Sequence, residues 1–151
     1  MAPMHPVDLL LVLTSGNQIL LALRENTGYA DGQWNLPSGK LEPGEDALTG
    51  MIRETREEIG LHLLPADLRL AATVHHRNPT GTTRIGLVFA TPLDPPRHGT
   101  PVNAEPHKCG GIAWFAPTDL PPDTVPYTAA CIKAFQNATP LLLNGFPPHP
   151  S

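Results

Sequence analysis

Cysteine is scarce in this chain of 151 residues: Cys109 and Cys131 stand alone, with no paired spacing. That pattern excludes a disulfide framework and a zinc knuckle, and a reducing, cytoplasmic setting is the expectation. Charge is also sparse, at 16% of residues against a usual ~25%, so long polyelectrolyte tails are excluded. Ten Lys and Arg face 14 Asp and Glu, for a net charge of −4. No broad basic surface follows from that balance, which argues against duplex nucleic acid and anionic membrane as partners. A small anionic ligand would need a local basic site. Long apolar runs are missing too: the first begins at Val7, is interrupted by Asp8 and ends before Thr14, and no basic region precedes it. Neither a signal peptide nor a membrane span is expected. What is present is 40% hydrophobic residues in a length suited to one domain, residues 1–151, with a core of its own. Nineteen prolines and 13 glycines stay below the level of a low-complexity chain, so most must sit in ordered loops.

Periodicity divides the chain into strands and two helices. Val7 to Leu13 and Gln18 to Arg24 read as a hairpin around Thr14-Ser15-Gly16-Asn17, and Trp34 to Leu36 as a brief strand stopped by Pro37. From Asp46 to Ile59, the residues Leu48, Met51, Ile52, Thr55 and Ile59 recur at helical spacing, and Gly60 suits the position that ends a helix. Leu68 to His76 and Thr82 to Thr91 predict a second hairpin, followed by a Pro-rich loop from Asp94 to Pro106 and a strand from Gly111 to Phe115. A second helix is predicted over Tyr127 to Ala138, and residues 140–151 read as an extended tail. Interspersed strands and helices without regular βαβ alternation predict an α+β fold, a mixed sheet with helices on its faces.

The first helix carries the chemistry. Glu54, Glu57 and Glu58 lie within two turns on the side away from the apolar stripe. A Glu-rich helix face is ordinarily just solvated. Three such carboxylates nevertheless repel one another and raise one another's pKa, which calls for a cation. A divalent metal answers that need, since Mg²⁺ takes oxygen ligands and is commonly shared between carboxylates and substrate phosphates. Arg53 is placed to pair with Glu45 across the preceding loop and aim its neighbours.

The surroundings decide between these readings. Gly39, then Glu45, then Arg53-Glu54, Glu57-Glu58 and Gly60 reproduce, residue for residue, seven identities of the Nudix box, so the segment 39–61 resembles the Nudix hydrolases. At frequencies of about 5–7% each, chance agreement lies below about one in a million. Leu61 fills the final aliphatic place, and Thr55 stands where an aliphatic is usual. The flanks Trp34-Asn35-Leu36-Pro37-Ser38 and Trp114-Phe115 resemble the strands that enter the box and leave the sheet. The resemblance implies an α/β/α sandwich, Mg²⁺ or Mn²⁺ held by Glu54, Glu57, Glu58 and the Gly39 carbonyl, Glu45 as the partner of Arg53, and homodimers as a common state. In MutT-like members the glutamate matching Glu54 is favoured as the base. Asn103-Ala104-Glu105-Pro106 resembles a late loop that adds a carboxylate, making Glu105 a further candidate ligand. Arg24 and Lys40 match places where such enzymes meet phosphates.

The implied reaction is hydrolysis of a diphosphate by water attacking phosphorus. Marks of other substrates are missing: the place about 15 residues after the box where a Pro is usual holds His76, no Tyr follows shortly after it, and no Ser-Gln-Pro-Trp-Pro run occurs. A small-molecule substrate, an NTP or a modified dNTP cleaved to NMP and pyrophosphate, is the leading expectation. ADP-ribose or a nucleotide sugar, and a non-catalytic nucleotide sensor, are the alternatives. For the base, Trp34, Tyr29, Trp114 and Phe115 are candidate walls. Thr124 falls where MutT supplies an Asn to oxidised guanine, and a hydroxyl lacks an amide's donor and acceptor pair. His75-His76 reads as strand surface or pocket wall.

Overall fold

The computed structural model describes residues 2–150. Its centre is β1 (Val7–Ser15), in which Leu9 to Leu13 are all buried. A strand covered on both faces reads as a continuous apolar run, and β1 is one. It pairs antiparallel with β2 (Gln18–Arg24) and parallel with β6 (Thr83–Pro92), where Leu9 stands opposite Leu87. The sheet runs β3 (Trp34–Asn35), β2, β1, β6, β5 (Arg69–Arg77), β8 (Leu141–Asn144), while β4 (Ser38–Lys40) also pairs with β1 and β7 (Cys109–Phe115) with β2.

Alternation along the strands sorts the core into two layers. Leu9, Leu11 and Leu13 pack with Met51 and Ile59 of α1 (Ala47–Ile59) on one face. Leu10 and Val12 pack with Cys131, Ile132 and Ala134 of α3 (Pro126–Gln136) on the other. The result is the expected α+β arrangement, an α/β/α sandwich around a mixed sheet. Gly50 lets α1 settle close to the sheet, since a Cβ there would stand 2.6 Å from Leu9 and 2.8 Å from the Glu45 carboxylate. Asp46 caps the helix by accepting from the Thr49 N–H at 2.9 Å, and Gly60 closes it in the left-handed region, at φ 70°.

Three expectations need correction. Ser38–Lys40 forms β4, which was not foreseen, because three residues carry too little pattern and the pairing partner, Asp8 to Leu10, lies far away in sequence. Pro95–His98 forms one turn of helix, α2, inside the segment expected to be an irregular loop. Most consequentially, the expected extended tail supplies β8, which runs parallel to β5 with Thr73 opposite Leu141 and His76 opposite Asn144. Leu142 of that strand packs on the α3-side core. Ser151, the end of the predicted tail, lies outside the described residues.

Candidate active site

The glutamates of α1 meet the loop that precedes it through one guanidinium. Arg53 donates to Glu45 from Nε at 3.1 Å and from Nη2 at 2.6 Å, and to Glu54 from Nη1 at 2.7 Å. Glu57 and Glu42 lie 3.5 and 3.7 Å from the same Nη1. The hydrogen bonds to Glu45 raise the Arg53 pKa further and hold the Glu45 carboxyl below the usual carboxylate range. Glu45 also accepts from the Glu42 N–H at 3.0 Å, so the loop is closed on itself.

Glu54 and Glu58 are in a different condition. Burial, outweighing the help of Arg53, lifts Glu54 above the ordinary glutamate value. Burial, and then the charge of Glu54, lifts Glu58 well above it, although Glu58 accepts from the Ser38 N–H at 3.1 Å. For both carboxylates the partners the protein supplies are outweighed by burial and mutual repulsion of the charged forms.

Glu105 reaches the same place from the loop before β7, far from α1 in sequence. Its loop docks across the C-terminal end of α1: the N–H of Val102 donates to Ile59 at 2.9 Å and that of Ala104 to Glu58 at 3.1 Å, satisfying carbonyls that the helix end leaves free. Asn103 stiffens the turn, accepting from the Glu105 N–H at 3.2 Å and donating to the Cys109 carbonyl at 2.8 Å. One cavity of about 310 Å³ is lined by Glu54, Glu57, Glu58 and Glu105 together with Arg53 and Arg24. Gly39 lies tight against Glu54, and a Cβ at that position would overlap the Glu54 carboxylate. Among the described residues no three of these carboxylates stand together as a formed metal site, but hard oxygen donors lining one cavity, two of them with pKa raised by burial, are the ligand type a divalent cation takes.

A second cavity, about 390 Å³, adjoins the first and shares Arg24, Asn35 and Ser38 with it. Lys40, Gly39 and Tyr29 line it. Arg24 donates to the Tyr29 carbonyl at 2.8 Å and lies over the Tyr29 ring. Trp34 and Thr124 line neither cavity, contrary to the expectation that they meet the substrate. Trp34 packs edge-to-face on Phe115 at 5.0 Å within the α3-side core, and the Thr124 hydroxyl donates to the Pro121 carbonyl at 2.7 Å. Trp114 packs on the opposite, α1-side core. Adjacent strand residues point opposite ways, so the turn of Trp34 into the core aims Asn35 at the cavities.

Several residues of the second cavity were not anticipated. Asp8, Arg84 and Tyr127 come from β1, β6 and the start of α3, with nothing in sequence spacing to associate them. Asn35, which accepts from the Thr128 hydroxyl and donates to Ser38, sat unremarked in the flank of the box.

An α/β/α sandwich that presents Glu54, Glu57 and Glu58 from a strand–loop–helix, with Arg53 clamped to Glu45, defines the Nudix arrangement. The NUDIX domain model matches residues 4–135, and the chain belongs to that family. The human 8-oxo-dGDP phosphatase NUDT18 is 32% identical over 117 residues, 76% of this chain but 33% of that protein, so the chain spans about a third of that relative. A Bacillus subtilis (strain 168) protein, provisionally named 8-oxo-dGTP diphosphatase, is 31% identical over 127 residues, 84% of this chain and 76% of its own length. The crystal structure of a MutT NUDIX hydrolase from Burkholderia pseudomallei superposes with a TM-score of 0.75 at 26% identity, covering 87% of this chain and 98% of that one. Members of the family generally use divalent metal ions. Among the described residues, no helix is long and apolar enough to cross a membrane.

Proposed function

We propose that this protein is a nucleotide diphosphatase that uses Mg²⁺ or Mn²⁺ to cleave an NTP or modified dNTP to NMP and pyrophosphate. The observation that carries this reading is the convergence of Glu54, Glu57, Glu58 and Glu105 in one cleft with Arg53 locked onto Glu45. These glutamates and the Gly39 carbonyl would hold the cation. When bound, the cation neutralises phosphate oxygens and lowers the pKa of water. Glu54 takes the proton of the attacking water as the new oxygen–phosphorus bond forms and the anhydride bond breaks, with pyrophosphate leaving. Arg24 and Lys40 steady the phosphates from the second cavity. The names of the human and Bacillus relatives support an oxidised guanine nucleotide among the substrates.

The test is hydrolysis with Mg²⁺ and with Mn²⁺ across dNTPs, 8-oxo-dGTP, 8-oxo-dGDP, ADP-ribose and nucleotide sugars, with products resolved by chromatography. Metal-dependent release of NMP and pyrophosphate is the expected result. Turnover of ADP-ribose alone would replace the substrate, and nucleotide binding without turnover would make the protein a sensor.

A further inference from the structure

The second cavity contains a polar cluster that the phosphate chemistry does not use. Asp8 is buried, and both of its oxygens are occupied: Oδ1 accepts from Arg84 Nη2 at 2.8 Å, and Oδ2 accepts from Arg84 Nε at 2.8 Å and from the Tyr127 hydroxyl at 3.0 Å. The sheet builds this cluster deliberately. Asp8 lies opposite Gly86 in the parallel β1–β6 ladder, and Arg84, two residues before Gly86, shares its face. A side chain at Gly86 would overlap the Tyr127 hydroxyl, so the bare glycine is what lets Tyr127 reach Asp8.

Two consequences follow for a ligand. The two-point pair with Asp8 fixes the guanidinium plane and partners its charge, turning Arg84 from a free cation into an oriented donor. Its Nη1 has no hydrogen-bond partner among the described residues, on a side chain that lines the cavity. Lys40 and Arg24, with no carboxylate in ion-pair reach among the described residues, are the better partners for phosphate. The wall beside Arg84 is aromatic: the His76 and Tyr127 rings stack 4.5 Å apart and nearly parallel, at 5°. Burial, and then the Arg84 charge, lower the His76 pKa against the opposing pull of Asp8, while the ring nitrogen Nδ1 lies 2.9 Å from the Asn144 amide of β8. A flat aromatic wall with one fixed donor suits a planar heterocycle that presents an acceptor.

We propose that Arg84, oriented by Asp8 and Tyr127, is a specificity-determining residue that favours nucleobases with a keto oxygen over those with an amino group at the same position. This rests on the nucleotide diphosphatase reading for its substrate class. Arginine has only donors, so an amino edge leaves both sides of the contact unpaired, and sites built on such a bond discriminate strongly against its absence.

Inosine and adenine nucleotides differ in this edge on the same purine frame, which makes them the probes. The wild-type protein is expected to favour dITP over dATP in kcat/KM by at least about tenfold, and Arg84→Met to bring that ratio within about threefold through loss on dITP. Tyr127→Phe keeps the ring and removes one bond to Asp8, so it lowers the ratio part of the way and serves if Arg84→Met does not fold. Metal-free binding of dIMP and dAMP, read by calorimetry, should show the same preference in the wild type and its loss in the variants. Equal use and equal binding of the two purines by the wild type would overturn the proposal, as would equal losses on both in folded Arg84→Met or no change in the ratio in folded Tyr127→Phe. Absence of turnover on every nucleotide would instead count against the diphosphatase reading, with the dIMP to dAMP binding ratio still deciding the role of Arg84.

Discussion

Arg53 grips Glu45 through two nitrogens, at 3.1 and 2.6 Å, and so fastens the loop before α1 to the second turn of the helix. The same side chain donates its remaining nitrogen to Glu54. One residue therefore sets both the loop and a carboxylate of the cleft.

Lysine at that position keeps the charge but has one nitrogen to offer where three are used. Arg53→Lys should lower kcat by about 10–100-fold and raise the metal concentration needed for half activity, with the far-ultraviolet circular dichroism unchanged. Normal turnover at ordinary Mg²⁺ would show that the clamp does not position the site.

Glu58→Gln separates activity from stability. The buried carboxylate is held up by burial and by Glu54, so the metal-free protein carries a repulsion that the amide removes. Turnover should fall by at least about 100-fold, as one member of the cluster is lost. The thermal midpoint without metal should rise by about 2 °C or more. Glu105→Gln should cost about tenfold in rate, because its loop is anchored by backbone hydrogen bonds that the substitution leaves alone. A fall in the metal-free midpoint of Glu58→Gln would contradict the repulsion.

Gly39→Ala adds a single methyl group where the Glu54 carboxylate sits. The side chain of Glu54 must turn away, and a displacement of about 1 Å in such a site can cost about 100-fold. The expected result is a loss of at least about tenfold in kcat in a folded protein, with Gly44→Ala, in open space but at a positive φ, as the comparison for backbone strain alone.

Acid stability should depend on Asp67. Its carboxylate accepts from the Leu64 N–H at 2.8 Å and from Arg97 Nη2 at 2.6 Å, with His98 Nε2 at 3.3 Å, and these contacts, led by the backbone bond, hold its pKa below the ordinary aspartate value. A pKa lower in the folded state contributes stability that is complete above the unfolded value and is lost as pH falls through the folded one. The wild-type thermal midpoint should drop steeply below about pH 4, whereas Asp67→Asn should start lower at neutral pH and fall less. Parallel slopes would rule out this ion cluster as the source.

Much of the catalytic side of the molecule is legible in one dimension. Asp46, the three- and four-residue spacing of Met51, Thr55 and Ile59, and Gly60 mark α1 from end to end. That helix needs only local hydrogen bonds and one apolar stripe, both written in consecutive residues. Glu54, Glu57 and Glu58 inherit their common face from the helix itself.

The substrate side is different. Trp34 looked like a pocket wall and is core, while its neighbour Asn35 faces the cavities; the pleat alternates directions, and only packing against Phe115 chose which residue went inside. Asp8, Arg84 and Tyr127 meet because β1 and β6 run parallel and the first turn of α3 brings Tyr127 against them, and no periodicity records a contact across such distances in the chain. Likewise, Leu141–Asn144 is too short to announce itself as a strand, and it became one because the open edge of β5 offered it hydrogen-bond partners. Local pattern in the sequence determined the helix and its carboxylates, whereas the choice of faces and neighbours, and with it the pocket beside them, belonged to the packed sheet.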